Sequence, residues 1–545
     1  MKIAEIRDLD GPNLFMLRPA IKLELDTGGE SPAAADAFAT DFAHEKSPGD
    51  STLVPVTLQR LTTLLTGVVY DLHDRLGLDR PEVVTRPMET PNHYAIAFSW
   101  DRRALAMALA QTAFDVVSGA ISNLDSRMSE LAALAENPVT SDDAPAMLRD
   151  DERRIPIIGI TGTNGKTTTT RLVASILMGA GKRVGWTSSS GVIVQGNPVM
   201  EGDYTGPAGA ARVFEEPDLD IAVLETARGG ILLRGLGYES NDVSVVTNVT
   251  ADHLGLQGVY SVEELARVKQ VVAAVTMADG FVVLNAGNPL VMGMRRAIRG
   301  RPFLISRERG QPEVVAHHAS GGWALWVDGD TVHFGHDGCE EVLADLHDIP
   351  ITFKGKAEHM LENALCAAAA TLAIGLDIDD VRRGLIEFRN KPDQNRGRLN
   401  VFELNGTTVI VDFAHNAAGL KHLLKLGRGL TADGCALIAA IGTAGDRPDE
   451  AIIELGRLGG EQADIVIAKD TEKYLRGRSS GAIVDLILTG AGLANHEDVR
   501  VVPNEHVAFD LALELAQPGD TVAIMCIENL DQILDYLTAN GTAIS

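Results

Sequence analysis

The sequence predicts an α/β protein in three parts, and three observations carry that prediction. From "RIPIIGI" onward, short apolar runs such as "IAVLE", "VSVVTNV" and "GFVVLN" alternate with helical stretches, the pattern of a doubly wound sheet of buried parallel strands. A second series, "CALIAAIG", "ADIVIAK", "VRVVP" and "TVAIMC", repeats it near the C-terminus on a smaller scale. Both are preceded by a stretch of mixed α+β character, and 545 residues are too many for one ordinary core.

Residues 1–135 form the first unit. Strands are expected at "MKIAEI" and "AIKLELD", then helices at "LQRLTTLLTGVVYDLHDRL" and "RALAMALAQTAFDVVSGAISNL", whose apolar residues recur at helical spacing. No catalytic constellation assembles there. The polar, acidic, proline-containing segment "AENPVTSDDAPAMLRDDERR" supplies a linker at 136–154. The central domain, 155–395, ends with an inserted hairpin at "WALWVDGDTVHF", turning at Asp328-Gly329, and a closing helix at "LENALCAAAATLAIGL". The C-terminal domain, 396–545, opens on "GRLNVFELNGTTVIVDFAHN", where Asn405-Gly406 marks another tight hairpin, and continues as a Rossmann-like α/β unit.

Bulk properties exclude several classes of partner. A net charge of −27 and a pI near 4.9 argue against a nucleic-acid surface, which needs clustered Lys and Arg. Cys339, Cys366, Cys435 and Cys526 form no CxxC pair, which fits a reducing compartment with no disulfide frame or structural zinc. The N-terminus carries charges where a signal peptide needs an apolar run, and no stretch approaches a membrane span. A cytoplasmic protein is expected, with homo-oligomerisation left open.

The stretch "GITGTNGKTTTTRL" follows an apolar strand and opens a helix, the context in which a glycine loop cradles phosphate. Backbone N–H groups of Gly162, Thr163, Asn164 and Gly165 would converge on an anion at the positive end of the helix, with Lys166 adding a full charge. The hydroxyl of Thr167, followed by Thr168, would face magnesium. The general pattern wants a glycine where Ile160 stands; it sits one position earlier, at Gly159. "LETARGG" places Glu225 at the end of one predicted strand, and "TNVTADHLG" places His253 just beyond another. Singly they read as a surface acid and a capping or core histidine. Together at neighbouring strand ends, where ligands of α/β sheets collect, they suit a second magnesium ion.

These residues resemble the Mur ligases, ATP-dependent amide-forming enzymes, and among them the C-terminal Mur-ligase module of cyanophycin synthetases. The loop "TGTNGKTT" has the Mur form, and "LETARGGIL", "VVTNVTADHLGLQGV", "ELARVK", "RGRLN", "DFAHN" and "KYLRGR" extend the likeness over about residues 155–530. The resemblance implies ATP and Mg2+ as cofactors. It implies Lys166 as the phosphate lysine, Thr167 and Glu225 as magnesium-associated ligands, His253 as ligand of the second ion, and Lys269 as the lysine that is often carbamylated. It implies Asn363 on the adenine side, Arg398 as a nucleotide-contacting arginine, and Asp412 and His415 as ribose and hinge-region residues. Arg228, Arg476 and Arg478 are the candidate substrate residues, because a planar guanidinium matches a carboxylate well.

The implied reaction activates a small-molecule or peptide carboxylate as an acyl phosphate that an amine attacks, with domain closure about a hinge near 390–398. Arginine and aspartate are the first substrates to expect. A folylpolyglutamate-type ligase and a non-catalytic nucleotide-binding regulator of a separate polymerase are the rival readings. The sequence departs from the family pattern in "NAGNP", in Ala417 after "AHN" and in Met360. It also lacks the ATP-grasp module that cyanophycin synthetases carry before their Mur module; only the acidic linker stands there. The first unit is weakly similar to the N-terminal domain of those enzymes, through "MKIAEIRDLDGPN", without their His-rich motif.

Overall fold

The computed structural model describes residues 1–28, 56–121 and 124–544. Its strands fall into three sheets. Seven strands run parallel through the middle of the largest, in the order Val184–Ser188, Ile221–Glu225, Ile157–Thr161, Asn241–Val246, Thr276–Asn285, Arg301–Ser306 and Trp323–Asp328. Antiparallel strands extend both edges: Gly191–Val194 and Asn197–Glu201 on one side, Thr331–His336 and Cys339–Asp345 on the other.

Alternation along each strand assigns its side chains to two cores. Ile158, Ile160, Val223, Val243 and Val245 meet Leu172, Val173, Ile176 and Leu177 of helix Lys166–Gly179 and the alanines of helix Glu358–Ala373. Ile157, Leu224, Val246 and Leu284 meet Leu265, Val268 and Val272 of helix Val262–Ala274. Burying each such aliphatic side chain contributes about 1.5–3 kcal/mol, which offsets the ordering of the chain. A one-residue slip in register would exchange the two faces.

The C-terminal sheet has seven strands. Val499–Val502, Ile465–Lys469, Leu437–Ile441, Thr521–Met525 and Thr407–Asp412 are parallel, and Asn400–Leu404 and Thr542–Ile544 close one edge antiparallel. Asn405 and Gly406 both take positive φ, 53° and 84°, as the expected hairpin requires. In the central hairpin the turn residues are Gly329 and Asp330, because Asp328 still pairs with Thr331. The turn therefore lies one residue later than the sequence reading put it.

The first sheet is antiparallel, in the order Lys2–Leu9, Ala20–Asp26, His93–Ser99, Val83–Pro87, with helices Val56–Arg75 and Arg103–Val117 on one face. The two later strands escaped the sequence reading. The helix expected over 103–124 stops at Val117, where Ser118 caps it and Gly119 turns left-handed at φ 72°; residues 122 and 123 of that expectation lie outside the described residues. The segment 136–154 is docked rather than loose. The N–H groups of Arg103 and Ala104 bind Asp143, and Leu148 bridges to Tyr238. All four cysteines are free thiols. Among the described residues no helix is long and apolar enough to cross a membrane.

Candidate functional site

Strand Ile157–Thr161 lies between two parallel neighbours, so its C-terminal end delivers the glycine loop to the middle of the sheet edge. Gly162 and Gly165 have φ of 152° and 85°. A Cβ at Gly165 would lie 2.1 Å from Asn363 Oδ1, and one at Gly162 would lie 1.8 Å from Thr247 Oγ1, so both positions demand glycine on sterics as well as conformation. Asn248 fixes the loop by accepting the N–H of Thr163 on its carbonyl and that of Asn164 on its side chain, at 2.9 and 3.0 Å. Lys166 curls over the loop and donates to the carbonyls of Gly162 and Thr163 at 3.1 and 2.9 Å.

Beside it, Glu225 is 3% exposed. Its Oε1 accepts the Thr167 hydroxyl at 3.1 Å, while Oε2 is buried with no hydrogen-bond partner. Burial pushes this carboxyl above its ordinary range, against the pull of Lys166 and Arg398. An unpaired buried carboxylate oxygen is costly unless a cation meets it. With Thr167 Oγ1, Ser189 at 3.3 Å and Asp203 on the same cleft wall, the donor set is all oxygen, which fits magnesium.

The strand end after Asn241–Val246 carries a second group. Asp252, His253 and His415 bring one ligand atom each within 4.8 Å of one another. Arg447, from the C-terminal domain, donates to His253 Nδ1 at 2.7 Å and lies 3.7 Å from Asp252. Burial would raise Asp252, but the His415 hydrogen bond and the nearby charges outweigh it and hold the carboxyl well below the usual range. Burial holds His253 down at about 4 despite Asp252, with Arg447 acting in the same direction, so its imidazole is neutral; with Nδ1 accepting from Arg447, the ring proton sits on Nε2, on the side of Asp252. His415 thus stands in this cluster, its Nδ1 against the Phe413 carbonyl.

Lys269 is buried and donates to the Gly162 carbonyl at 2.7 Å. Burial, reinforced by Lys166, pushes its amine well below the ordinary lysine value.

A cleft of about 340 Å³ runs from the glycine loop to the C-terminal domain and is lined by Asn363, Arg398, Asp412 and His415 among others. Arg398 lies over the Phe413 ring at 4.9 Å and reaches toward Thr167. Burial raises the Asp412 carboxyl against the nearby Arg398 charge, and Asp412 accepts the Leu399 N–H at 2.8 Å. The segment expected to act as hinge is knitted by buried asparagines: Asn390 and Asn400 bind backbone carbonyls, and Asn395 binds Asn390. Gly397 and Leu399 take left-handed φ of 70° and 46° there.

The far wall of the cleft holds a stacked pair across the two domains, His359 on His422, with ring centroids 4.5 Å apart. Burial holds His359 well below the ordinary histidine value and His422 down at about 4; Glu358, Arg307, Lys421 and Lys425 are the charges that face His422. Because the folded-state values are depressed, this contribution to stability is complete above the ordinary value of about 6.5 and is lost as pH falls toward the folded value. Melting temperature should therefore drop between those limits, and His422→Phe should flatten the drop. Parallel curves for wild type and variant would contradict it.

The substrate arginines separate. Arg228 begins helix Arg228–Arg234 and donates to the Leu256 carbonyl at 3.4 Å, close to the Asp252 group. Arg476 is exposed, in a left-handed conformation, over the Tyr474 ring. Arg478 is already engaged: its guanidinium donates to the carbonyls of Gly445 and Arg447 and pairs with Asp449 at 2.7 Å. Those contacts anchor the Arg447 loop and leave Arg478 poorly placed to hold a carboxylate of its own. Sequence reading missed Asp252, one residue before His253, and Arg447 in "GDRPD". The latter follows a strand end of the second sheet, which was the signal available.

A glycine loop, a lysine and a buried acid at the edge of a parallel sheet, facing a second α/β domain across a cleft, define the class: a two-domain α/β protein built around an anion cradle. Residues 160–371 match the Mur ligase middle domain and residues 397–526 the Mur ligase, glutamate ligase domain. The chain belongs to the Mur ligase family. It is 38% identical over 375 residues to a cyanophycin synthetase of Crocosphaera subtropica, covering 68% of this chain and 42% of that one. It therefore spans less than half the length of that relative. It is 27% identical to a UDP-N-acetylmuramoyl-L-alanyl-D-glutamate–2,6-diaminopimelate ligase of Geobacter metallireducens, over 81% of this chain and 84% of the relative. The fold matches E. coli FolC in complex with ADP at a TM-score of 0.53 and 21% identity, over 70% of this chain and 89% of the other.

Proposed function

We propose that the protein is an ATP-dependent carboxylate–amine ligase that forms an amide through an acyl phosphate. The observation that carries this reading is the pairing of the anion cradle with Glu225, whose buried oxygen has no partner, on a cleft shared with the C-terminal domain. The Thr163 and Asn164 amides are already bound to Asn248, so the amides of Gly165 and Lys166 at the helix N-terminus and the Lys166 amine would hold the β- and γ-phosphates, and Asn363, Arg398 and Asp412 the nucleoside end. A carboxylate oxygen attacks the γ-phosphorus and ADP leaves; an amine then attacks the acyl carbon and expels phosphate. Bound magnesium supplies charge neutralisation at the migrating phosphoryl group, with Thr167, Glu225 and the Asp252–His253 group as its holders. The cleft lies between domains, so closure excludes water from an intermediate that water destroys.

The carboxylate and amine are small molecules or short peptides on this reading, with aspartate-type carboxylates and arginine the first pair to examine. The test is phosphate release from ATP across a panel of amino-acid and dipeptide pairs. Release that requires both a carboxylate and an amine is expected. ATP turnover indifferent to the panel, or absent throughout it, would overturn the ligase reading.

A further inference from the structure

Among the described residues the first unit shows no catalytic constellation, yet it grips the central domain at two places, each on a helix that carries a candidate site residue. Asp10, 1% exposed, accepts from Arg103 and from Arg234 at 2.5 and 2.6 Å, and its N–H donates to the Arg234 carbonyl. Arg234 ends the helix that Arg228 begins. The backbones touch so closely that a Cβ on Gly11 would lie 1.9 Å from the Leu236 oxygen.

The second grip is on helix Val262–Ala274. Ser261 caps it by accepting the Glu264 N–H at 3.1 Å. Glu89, in the turn between strands Val83–Pro87 and His93–Ser99, accepts the N–H groups of Tyr260 and Ser261 and the Ser261 hydroxyl. Arg86 adds an ion pair to Glu264. About two helical turns further on, the same helix presents Lys269, whose amine is bound to the Gly162 carbonyl of the glycine loop. A continuous chain of contacts thus runs from Glu89 through the cap and the rigid helix to the loop, and three donors converge on one carboxylate at its start.

We propose that Glu89 is a positioning residue: it sets the register of the Lys269 helix and, through Lys269, the conformation of the glycine loop. The N-terminal unit is then a brace for the site. A cap that is satisfied only locally would leave the loop indifferent to it; a register-setting contact transmits its loss to Thr163 and Asn164, whose amides are hydrogen-bonded to Asn248.

Hydrogen exchange on the full chain tests this without a substrate. Glu89→Ala should speed exchange of the Thr163 and Asn164 amides by at least about tenfold, and Glu89→Gln, which keeps an acceptor, should restore most of the protection. Ser261→Ala removes the hydroxyl that joins Glu89 to the Glu264 cap while leaving the two backbone donors to Glu89, and should give the same pattern at smaller size, which keeps the test intact where Glu89→Ala folds poorly. Faster exchange confined to residues 259–264, with the loop unchanged, would overturn the proposal. The inference bears on activity only through the ligase reading: there Glu89→Ala should lower kcat/KM for ATP about tenfold, with Glu89→Gln restoring most of it. A wild-type protein without ATP turnover would sink the ligase reading and leave the exchange result to decide the brace.

Discussion

Lys166→Ala is expected to lower ATP turnover by at least about a hundredfold while the protein melts within a few degrees of wild type. The side chain lies over the loop surface, its amine bound to two carbonyls of its own loop, so truncation opens no cavity in the apolar core. What is lost is a full positive charge borne by the phosphate loop itself, in a site where burial makes charge neutralisation worth more than in water. Helix dipole and loop amides remain, so weak nucleotide binding should persist. Phosphate release and a thermal melt, measured on the same sample, separate the two effects. Near-normal turnover would remove the glycine loop from the reaction.

Glu225→Gln should act in opposite directions on activity and stability. Gln keeps an oxygen for the Thr167 hydroxyl but removes a buried charge whose second oxygen has no partner. Relieving that burial should raise stability by about 1 kcal/mol or leave it unchanged. Loss of the acidic side chain hydrogen-bonded to Thr167 should weaken magnesium binding and cut turnover by at least about a hundredfold. A stabilised, inactive variant is the expected signature. A destabilised variant would mean that Glu225 serves the fold, and an active one would mean that the cation is held elsewhere.

Much of the fold was legible because buried parallel strands are short unbroken apolar runs and the loops between them carry glycine. "IAVLE", "GFVVLN" and "TVAIMC" became strands for that reason. The antiparallel strands were harder. "VVTRP" and "NPVME" are short, half-exposed or exposed, and each contains a proline, at the end of the first and the second position of the other, so their pattern does not separate them from loops. The Asp328-Gly329 turn was misplaced by one residue because register depends on pairing, which is not local.

The candidate site divides the same way. Gly162 to Thr168 and Glu225 were legible because the loop and the strand end are contiguous in sequence. Asp252, His415 and Arg447 meet only when two domains face each other, so nothing in the spacing from 252 to 447 reveals the cluster. Arg478 illustrates the converse: its residue type suited a carboxylate, but the carbonyls of Gly445 and Arg447 take its donors first. The support of Lys269 by Glu89 was invisible for the same reason, since it joins a turn of one sheet to a helix of another.

The proposed reaction requires that a carboxylate be activated by phosphorylation. It is tested most directly by supplying a substrate carboxylate labelled with a heavy oxygen isotope and analysing the phosphate released during amide formation. The account predicts one labelled oxygen in each phosphate, because the bridging oxygen of an acyl phosphate comes from the carboxylate and leaves with phosphorus. Amide formation that releases only unlabelled phosphate would contradict it.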